Sequence, residues 1–436
     1  MSWRGLAVLL LLAGWGWAAA AWAQSNPAPA DWTDADIRMS RTHAPDVPAL
    51  PQAPPRRAGP AQRLVVVTAD PPQVTLIDVA RLQNAQSIAL PRAPHGAPRF
   101  SADGRHGYFA TRDGWITRVD LWNLRVLGEV RVGRQLANFA ISSDGKWLLA
   151  GNEAPHTLVL LDAELALVKR FAAATPDGKH SSRVGVVTDA APRTSFVVAL
   201  RDVAEIWEIS YDPRAEDIYA GLVHDFRMSE GLPVRGFHNA RRSFLAQPLG
   251  NLFFDAEHTH LVGSAEGSPA TAQVVNLDVR RRIASVELSG RPLLAAGHAF
   301  AWNGMPALAV PDAQHGAIDV IDMRSWKLAR TVTLPSAASW VGGRSDAPLL
   351  WTDGAGGTVL TAIAKASLAL SATLRLPGPA LAPLVFGHDG RRLLACIGGA
   401  PGLLVAYDAQ TLQEIERLAM PHAITGCTSV PPHVER

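Results

Sequence analysis

The sequence has only 2 cysteines in 436 residues. Neither belongs to a C-x-x-C-H run, so covalent attachment of a c-type heme within this chain is excluded. Cys396 lies in the apolar stretch LLACIGG and Cys427 in ITGCTSV. One bridge tying the end of the chain to its last repeat, and two separate buried thiols, are both compatible with that placement. Charge imbalance is missing as well: 41 Lys and Arg stand against 39 Asp and Glu, a net +2. No basic excess points to nucleic acid, and any electrostatic role must come from local clustering. The chain also lacks a G-x-S-x-G elbow, an H-E-x-x-H helix and any Cys/His-rich cluster, which removes the common hydrolase chemistries.

What is present begins with a leader. Arg4 precedes an apolar run from Leu6 to Ala13, and Ala21-Trp22-Ala23 is a small-residue cleavage signal. Residues 1–23 are therefore expected to be a cleaved secretory signal rather than an uncleaved anchor, leaving a periplasmic protein with no permanent membrane span. No Cys follows the site, which argues against lipidation. Residues 24–60, rich in Pro, Ala and Arg without periodicity, read as a flexible arm.

From residue 61 to about 430 the chain repeats itself. HGAPRFSADGRHGYFATRDGWITRVDLWNLRVLGEVRVG (95–133) contains four short strands joined by tight turns at Asp103-Gly104, at Arg112-Asp113-Gly114 and after Leu121. Such a meander cannot bury both of its faces alone. Copies begin near Leu64, Phe100, Ala140, Ser195, Leu252, Leu308, Leu349 and Leu384, with a recurrent apolar-apolar-Asp ending to the third strand. Eight copies at roughly 35–55 residues predict an all-β fold, an eight-bladed β-propeller of four-stranded antiparallel blades, in preference to a β-sandwich. Two closures are open: residues 61–67 pairing with the last blade, or residues 423–430 completing the first. Residues 213–248, with Tyr219, His224, Arg235 and His238, lack alternation and are expected to hold the largest insertion.

The repeat sorts the polar residues. Turns between the second and third strands, and the connections between blades, share one face around the channel mouth. That face should carry His95, Arg99, Arg112, Asp113, Arg134, His156, His180, Arg183, Arg201, Asp202, His315 and His422. The Asp103, Asp144 and Asp389 turns should lie on the opposite face. Imidazole and guanidinium groups converging on one funnel suit an anionic, planar, metal-containing ligand. His95, in a constrained A-P-H-G turn, is the strongest single candidate. His258 and His260 should share one strand face, as an exposed edge of blade five or a minor metal site.

At these residues (95–121, 140–146 and VVALRDVAEIWEISYD at 197–212) the chain resembles the eight-bladed heme d1 domain of the cytochrome nitrite reductases. It is more similar still to the stand-alone periplasmic homologues that act in heme d1 biosynthesis. The resemblance implies that His95 is the axial ligand to the iron of heme d1 or a dihydro precursor. It implies Arg99 as a partner for ligand carboxylates, with Arg134, Arg183 and Arg201 as further candidates. It also implies a role in denitrification, as maturation of the cofactor or its delivery to a nitrite reductase; any catalysis would be an oxidoreductase-type late step on the bound tetrapyrrole. The sequence departs from the reductases where they carry two distal His: RPLLAAGH (291–298) and SWVGGRS (339–345) stand there, with His298 a displaced substitute at best. Nitrite reduction is therefore not expected. The alternative is a non-catalytic periplasmic scaffold, or an accessory of a respiratory or quinoprotein system.

Overall fold

The structure, a computed structural model, describes residues 32–44, 63–219, 233–265, 268–354, 356–381, 383–387 and 390–430. Eight antiparallel sheets follow one another around a ring, each with its strands in the order a, b, c, d from the channel outward. Blade two is representative: Arg99–Phe100, His106–Ala110, Trp115–Asp120 and Arg125–Arg131. Strands b and c are sandwiched between neighbouring blades and are the most buried of each blade. Arg63–Ala69 of blade one and Ser195–Leu200 of blade four are buried almost throughout. The d strands face solvent on one side, so Leu167–Ala172 alternates along its length. Each of the eight junctions between neighbouring blades holds its own apolar cluster.

Of the two closures open from sequence, the second is the one observed. Ile424–Ser429 is the innermost strand of blade one and pairs antiparallel with Arg63–Ala69, from Leu64 opposite Ser429 to Thr68 opposite Ile424. Cys427 on this strand is bonded to Cys396 in strand b of blade eight. First blade and last are thus joined by backbone hydrogen bonds and by a covalent link.

The repeat starts need correcting in four copies. Leu64, Ser195, Leu308 and Leu349 lie in b strands, and the a strands before three of them are Val184–Ala190, His298–Trp302 and Val341–Gly343. Inner strands line the channel, so they are partly polar and give no clean apolar signal. The recurrent Asp at the end of strand c also has a defined job. In blades one, two, three, five, six and eight the side chain of Asp78, Asp120, Asp162, Asn276, Asp322 or Asp408 accepts backbone N–H groups of the following c–d turn. It is a turn residue on the face away from the mouth. Asp103 and Asp144 act alike in the a–b turns of blades two and three, beside glycines at φ of +67° and +70°. Asp389 and His224 lie outside the described residues, as does the leader.

A second correction concerns the arm. Within residues 24–60, Asp34–Ser40 form a helix (α1) opened by a Thr33/Asp36 capping box, and Thr42–His43 pair with Glu129 and Gly128 as a fifth strand on blade two. Ile37 is fully buried in the cluster between blades two and three, Trp32 Nε1 donates to the Arg131 carbonyl, and Arg170 pairs with Asp34. One apolar residue per helical turn was too short a pattern to read from sequence. Gly128 is required here, because a Cβ would lie 2.4 Å from the Thr42 carbonyl oxygen.

Two outcomes are expected. Thiol titration of the unreduced, denatured protein should find no free Cys, and Cys427→Ala should lose about 3–4 kcal/mol in chemical denaturation, the loop-closure value for a bridge spanning 31 residues. Ile37→Ala should cost about 2–4 kcal/mol in the same measurement.

Candidate functional site

The mouth is built from loops of two kinds, the b–c turns and the connections from strand d of one blade to strand a of the next. His95 sits in the connection from blade one to blade two. Its backbone N–H donates to the Ala110 carbonyl at 2.7 Å, pinning the loop to the end of strand b. Its ring is exposed and has no partner among the described residues. Arg99 is not in the loop but opens the inner strand of blade two. Its guanidinium lies 5.7 Å from the Phe139 ring centre and donates to the Ala97 and Pro98 carbonyls. No carboxylate accepts from it among the described residues, and burial pushes its pKa below the ordinary arginine value.

The other three arginines of the expected set reach the same face by different routes. Arg134 is exposed in the connection to blade three, its amide donating to Ala154; the Asp36 carboxyl of α1 is held below the usual range first by the Thr33 hydroxyl and amide, with a smaller contribution from the Arg134 charge. Arg183 is committed to Asp202 in the b–c turn of blade four. Nε and Nη2 reach the two carboxylate oxygens at 3.0 and 2.5 Å, and the Arg183 amide donates to the same group at 2.9 Å. The Arg183 side chain, followed by its backbone N–H and charge, holds Asp202 down to about 2. Arg201 lies 3.4 Å from Glu153, which also accepts from Gln135. Arg112, Asp113, His156, His180, His315 and His422 all fall in loops of the mouth face. His156 Nδ1 meets Ser181 at 2.8 Å. The five residues singled out therefore share a face, but Arg183 and Arg201 already carry carboxylate partners, while His95 and Arg99 have none among the described residues.

One sequence expectation ends differently, and two further histidines take their places. His258 and His260 do not share a strand face: His258 is in the a–b turn at φ +52°, stacked on Phe254, and His260 starts strand b. Both nitrogens of His260 are used, by Asp255 at 2.8 Å and Asn276 at 3.3 Å. Among the described residues no group of three or more His, Cys, Asp or Glu could hold a metal ion; a macrocycle that brings its own four nitrogens needs only one or two protein ligands. His298 opens the inner strand of blade six, where burial, then the Lys365 charge, depress its pKa. His238 belongs to a packed cluster, edge-on to Trp147 and stacked on Phe237, with burial bringing its pKa down to about 4.

Sequence reasoning missed the carboxylates that brace the mouth. Asp312, at the end of strand b in blade six, accepts the Arg291 and Gln314 amides at 2.8 Å; Asp353, its counterpart in blade seven, accepts Ser339 and Trp340. Asp319 accepts the Ser289 amide and hydroxyl. The signal was there, as AVPD (309–312), LWTD (350–353) and ALRD (199–202), an Asp at or just past the end of each b strand. Each buried carboxylate takes orphan amides of the connection leading into its own blade, so the loops are held without regular structure.

The Arg183–Asp202 pair makes a signed pH prediction. A folded pKa of about 2, below the ordinary 3.8, means that the pair adds stability above about pH 4 and that this is lost as pH falls toward 2. Asp202→Asn should therefore lower the thermal midpoint at neutral pH, and its difference from wild type should shrink in scans run from about pH 5 down to about pH 2.

Comparison with known proteins gives the geometry its context. The model of the family described as the cytochrome D1 heme domain matches residues 58–428. The dihydro-heme d1 dehydrogenase of Pseudomonas aeruginosa is 37% identical over 402 residues, which span 91% of this chain and 77% of that protein. Protein NirF of Stutzerimonas stutzeri is 25% identical over 352 residues, 78% of this chain and 83% of NirF. Among solved structures, dihydro-heme d1 dehydrogenase NirN in complex with DHE superposes with a TM-score of 0.82 at 35% identity, covering 94% of this chain and 84% of that one. An eight-bladed ring and a family match along nearly all of it lead to one assignment: the chain belongs to the cytochrome d1 heme domain family.

Proposed function

We propose that this protein binds dihydro-heme d1, or heme d1 itself, in the mouth of the propeller and acts in the maturation of that cofactor or its delivery to a nitrite reductase. The observation that carries the reading is His95: an imidazole with no partner among the described residues, on a loop anchored to Ala110, on the mouth face of a cytochrome d1 heme domain. The donor set fits the group. His95 offers a nitrogen to iron, and Arg99 offers a desolvated cation to a peripheral carboxylate. Arg134 lies on the same face with its charge turned partly to Asp36. Arg183 and Arg201 come with carboxylates of their own, so they help set the local field more than they add free charge.

The relatives support a role in which the ligand is altered, since one is a dihydro-heme d1 dehydrogenase. When bound, the tetrapyrrole supplies the redox capacity; the chain's own groups orient it, exclude water and handle protons. Residues 1–23 read as an export signal and the chain closes its ring with a disulfide, which suits an oxidising compartment, so we place the protein in the periplasm. No helix among the described residues is long and apolar enough to cross a membrane.

Optical titration of the purified protein with dihydro-heme d1 tests the reading. A saturable, shifted visible band is expected, and His95→Ala should abolish the shift and weaken binding by at least about tenfold, roughly 1.4 kcal/mol. An unchanged spectrum on adding the tetrapyrrole would overturn it.

A further inference from the structure

We infer that His315, backed by Asp312, is the proton acceptor of the mouth, placed to take a proton from a bound dihydro tetrapyrrole as it is dehydrogenated; this rests on the function proposed above. His315 lies in the b–c turn of blade six, in the strand Met305–Asp312 to strand Ala317–Asp322 connection. The His95 loop joins blades one and two, so the two imidazoles sit on the same face, about half the eight-membered ring apart.

The local chemistry is that of a supported base. Nδ1 of His315 is 3.0 Å from Asp312 Oδ2. The Asp312 side chain is 2% exposed and the imidazole 60% exposed, so the carboxylate is sheltered and the ring is open to a ligand. Amides of Arg291 and Gln314 keep Asp312 ionised, and with it the tautomer that carries hydrogen on Nδ1 and a lone pair on Nε2. Nε2 has no partner among the described residues. Gly290, in the connection before the blade, takes φ +46°, and a Cβ there would lie 2.2 Å from Nδ1 and 2.4 Å from Asp312 Oδ2. Only glycine leaves room for the pair. His260 is the control within the same molecule: it too has a carboxylate on Nδ1, but Asn276 occupies its Nε2 and it lies on strand b at the end away from the mouth. That pair is structural; the His315 pair is left open on the side where the ligand binds.

The step balances as follows. Two C–H bonds of the dihydro ligand break and one C=C bond forms. One proton is taken by Nε2 of His315, where an N–H bond forms and Asp312 stabilises the imidazolium; the other goes to water. The two electrons leave to two equivalents of a soluble one-electron acceptor. The charged groups around His315 are Asp312 in its own blade and Arg291 in the connection that packs on it, with Asp319 beyond Ser289. The following connection, residues 334–340, donates Ala338 N–H to the Asp312 carbonyl and holds no titratable side chain.

The experiment compares wild type, His315→Gln and Asp312→Asn, each full length, with dihydro-heme d1 as ligand and a one-electron acceptor dye as oxidant. Binding by optical titration should stay within about threefold of wild type in His315→Gln, while turnover falls by about 100-fold or more and the rise of rate with pH disappears. In ligand-free protein labelled with 15N-histidine, the signal missing from His315→Gln should show the Nδ1–H tautomer, and Asp312→Asn should lose that preference. Turnover within about threefold of wild type in His315→Gln overturns the proposal. So does a wild type that binds and never turns over. A wild type that does not bind the ligand overturns the functional reading, and this inference with it.

Discussion

The mouth exists because the ring is closed by its own C-terminus. An open array of eight sheets would leave a buried-type face on blade one and another on blade eight, each a strip of apolar side chains with no neighbour. Ile424–Ser429 prevents that by entering blade one as its innermost strand, while the Cys396–Cys427 bond fastens the same strand to blade eight. Residues at the extremes of the sequence thus meet at one junction, whose cluster contains Leu64, Leu394 and Ile424 together. The connection carrying His95 leaves blade one directly after its outer strand Gln83–Ala89, so the position of the candidate ligand is inherited from this closure.

Around the mouth a second device turns loops into a fixed surface. Asp202, Asp312 and Asp353 stand at or just beyond the ends of b strands in blades four, six and seven, and each accepts amides from the connection leading into its own blade. Backbone groups in irregular loops need partners as much as those in sheets. Supplying them from carboxylates rooted at strand ends lets the loops carry function without drifting. α1 and its short strand extend the same economy outward, sealing the junction of blades two and three beneath Arg131, whose Nε in turn holds the Asp113 carbonyl in the b–c turn of blade two.

Fold and face were legible in the sequence because the strongest signals come from strands b and c, which are buried on both sides, and from Asp-Gly turns that need a left-handed residue. The face of His95, Arg134, Arg183, Arg201 and His315 followed from strand order alone. Less legible was everything that depends on which partner a side chain chooses. Arg99 and Arg183 look alike in sequence, yet one is desolvated over Phe139 and the other is tied to Asp202 at both ends of its fork. Helix Asp34–Ser40 buries a single apolar side chain, too little for a periodic pattern to show. Inner strands such as Val341–Gly343 are too short and too small in side chain to announce themselves.

That difference in commitment decides how an anionic ligand settles in the mouth. A carboxylate that approaches Arg183 must displace Asp202, so one ion pair forms as another breaks and a carboxylate is left uncompensated beside the ligand; little is gained. A carboxylate that reaches Arg99 meets a partly buried cation that lies over the Phe139 ring and donates to two backbone carbonyls but to no carboxylate among the described residues, so the new pair recovers a desolvation cost the fold has partly met. Arg99 opens the strand that directly follows the His95 loop. The imidazole and this guanidinium are four residues apart on one segment, and under the function proposed above it is this segment, more than the number of arginines at the mouth, that would orient a planar acidic ligand.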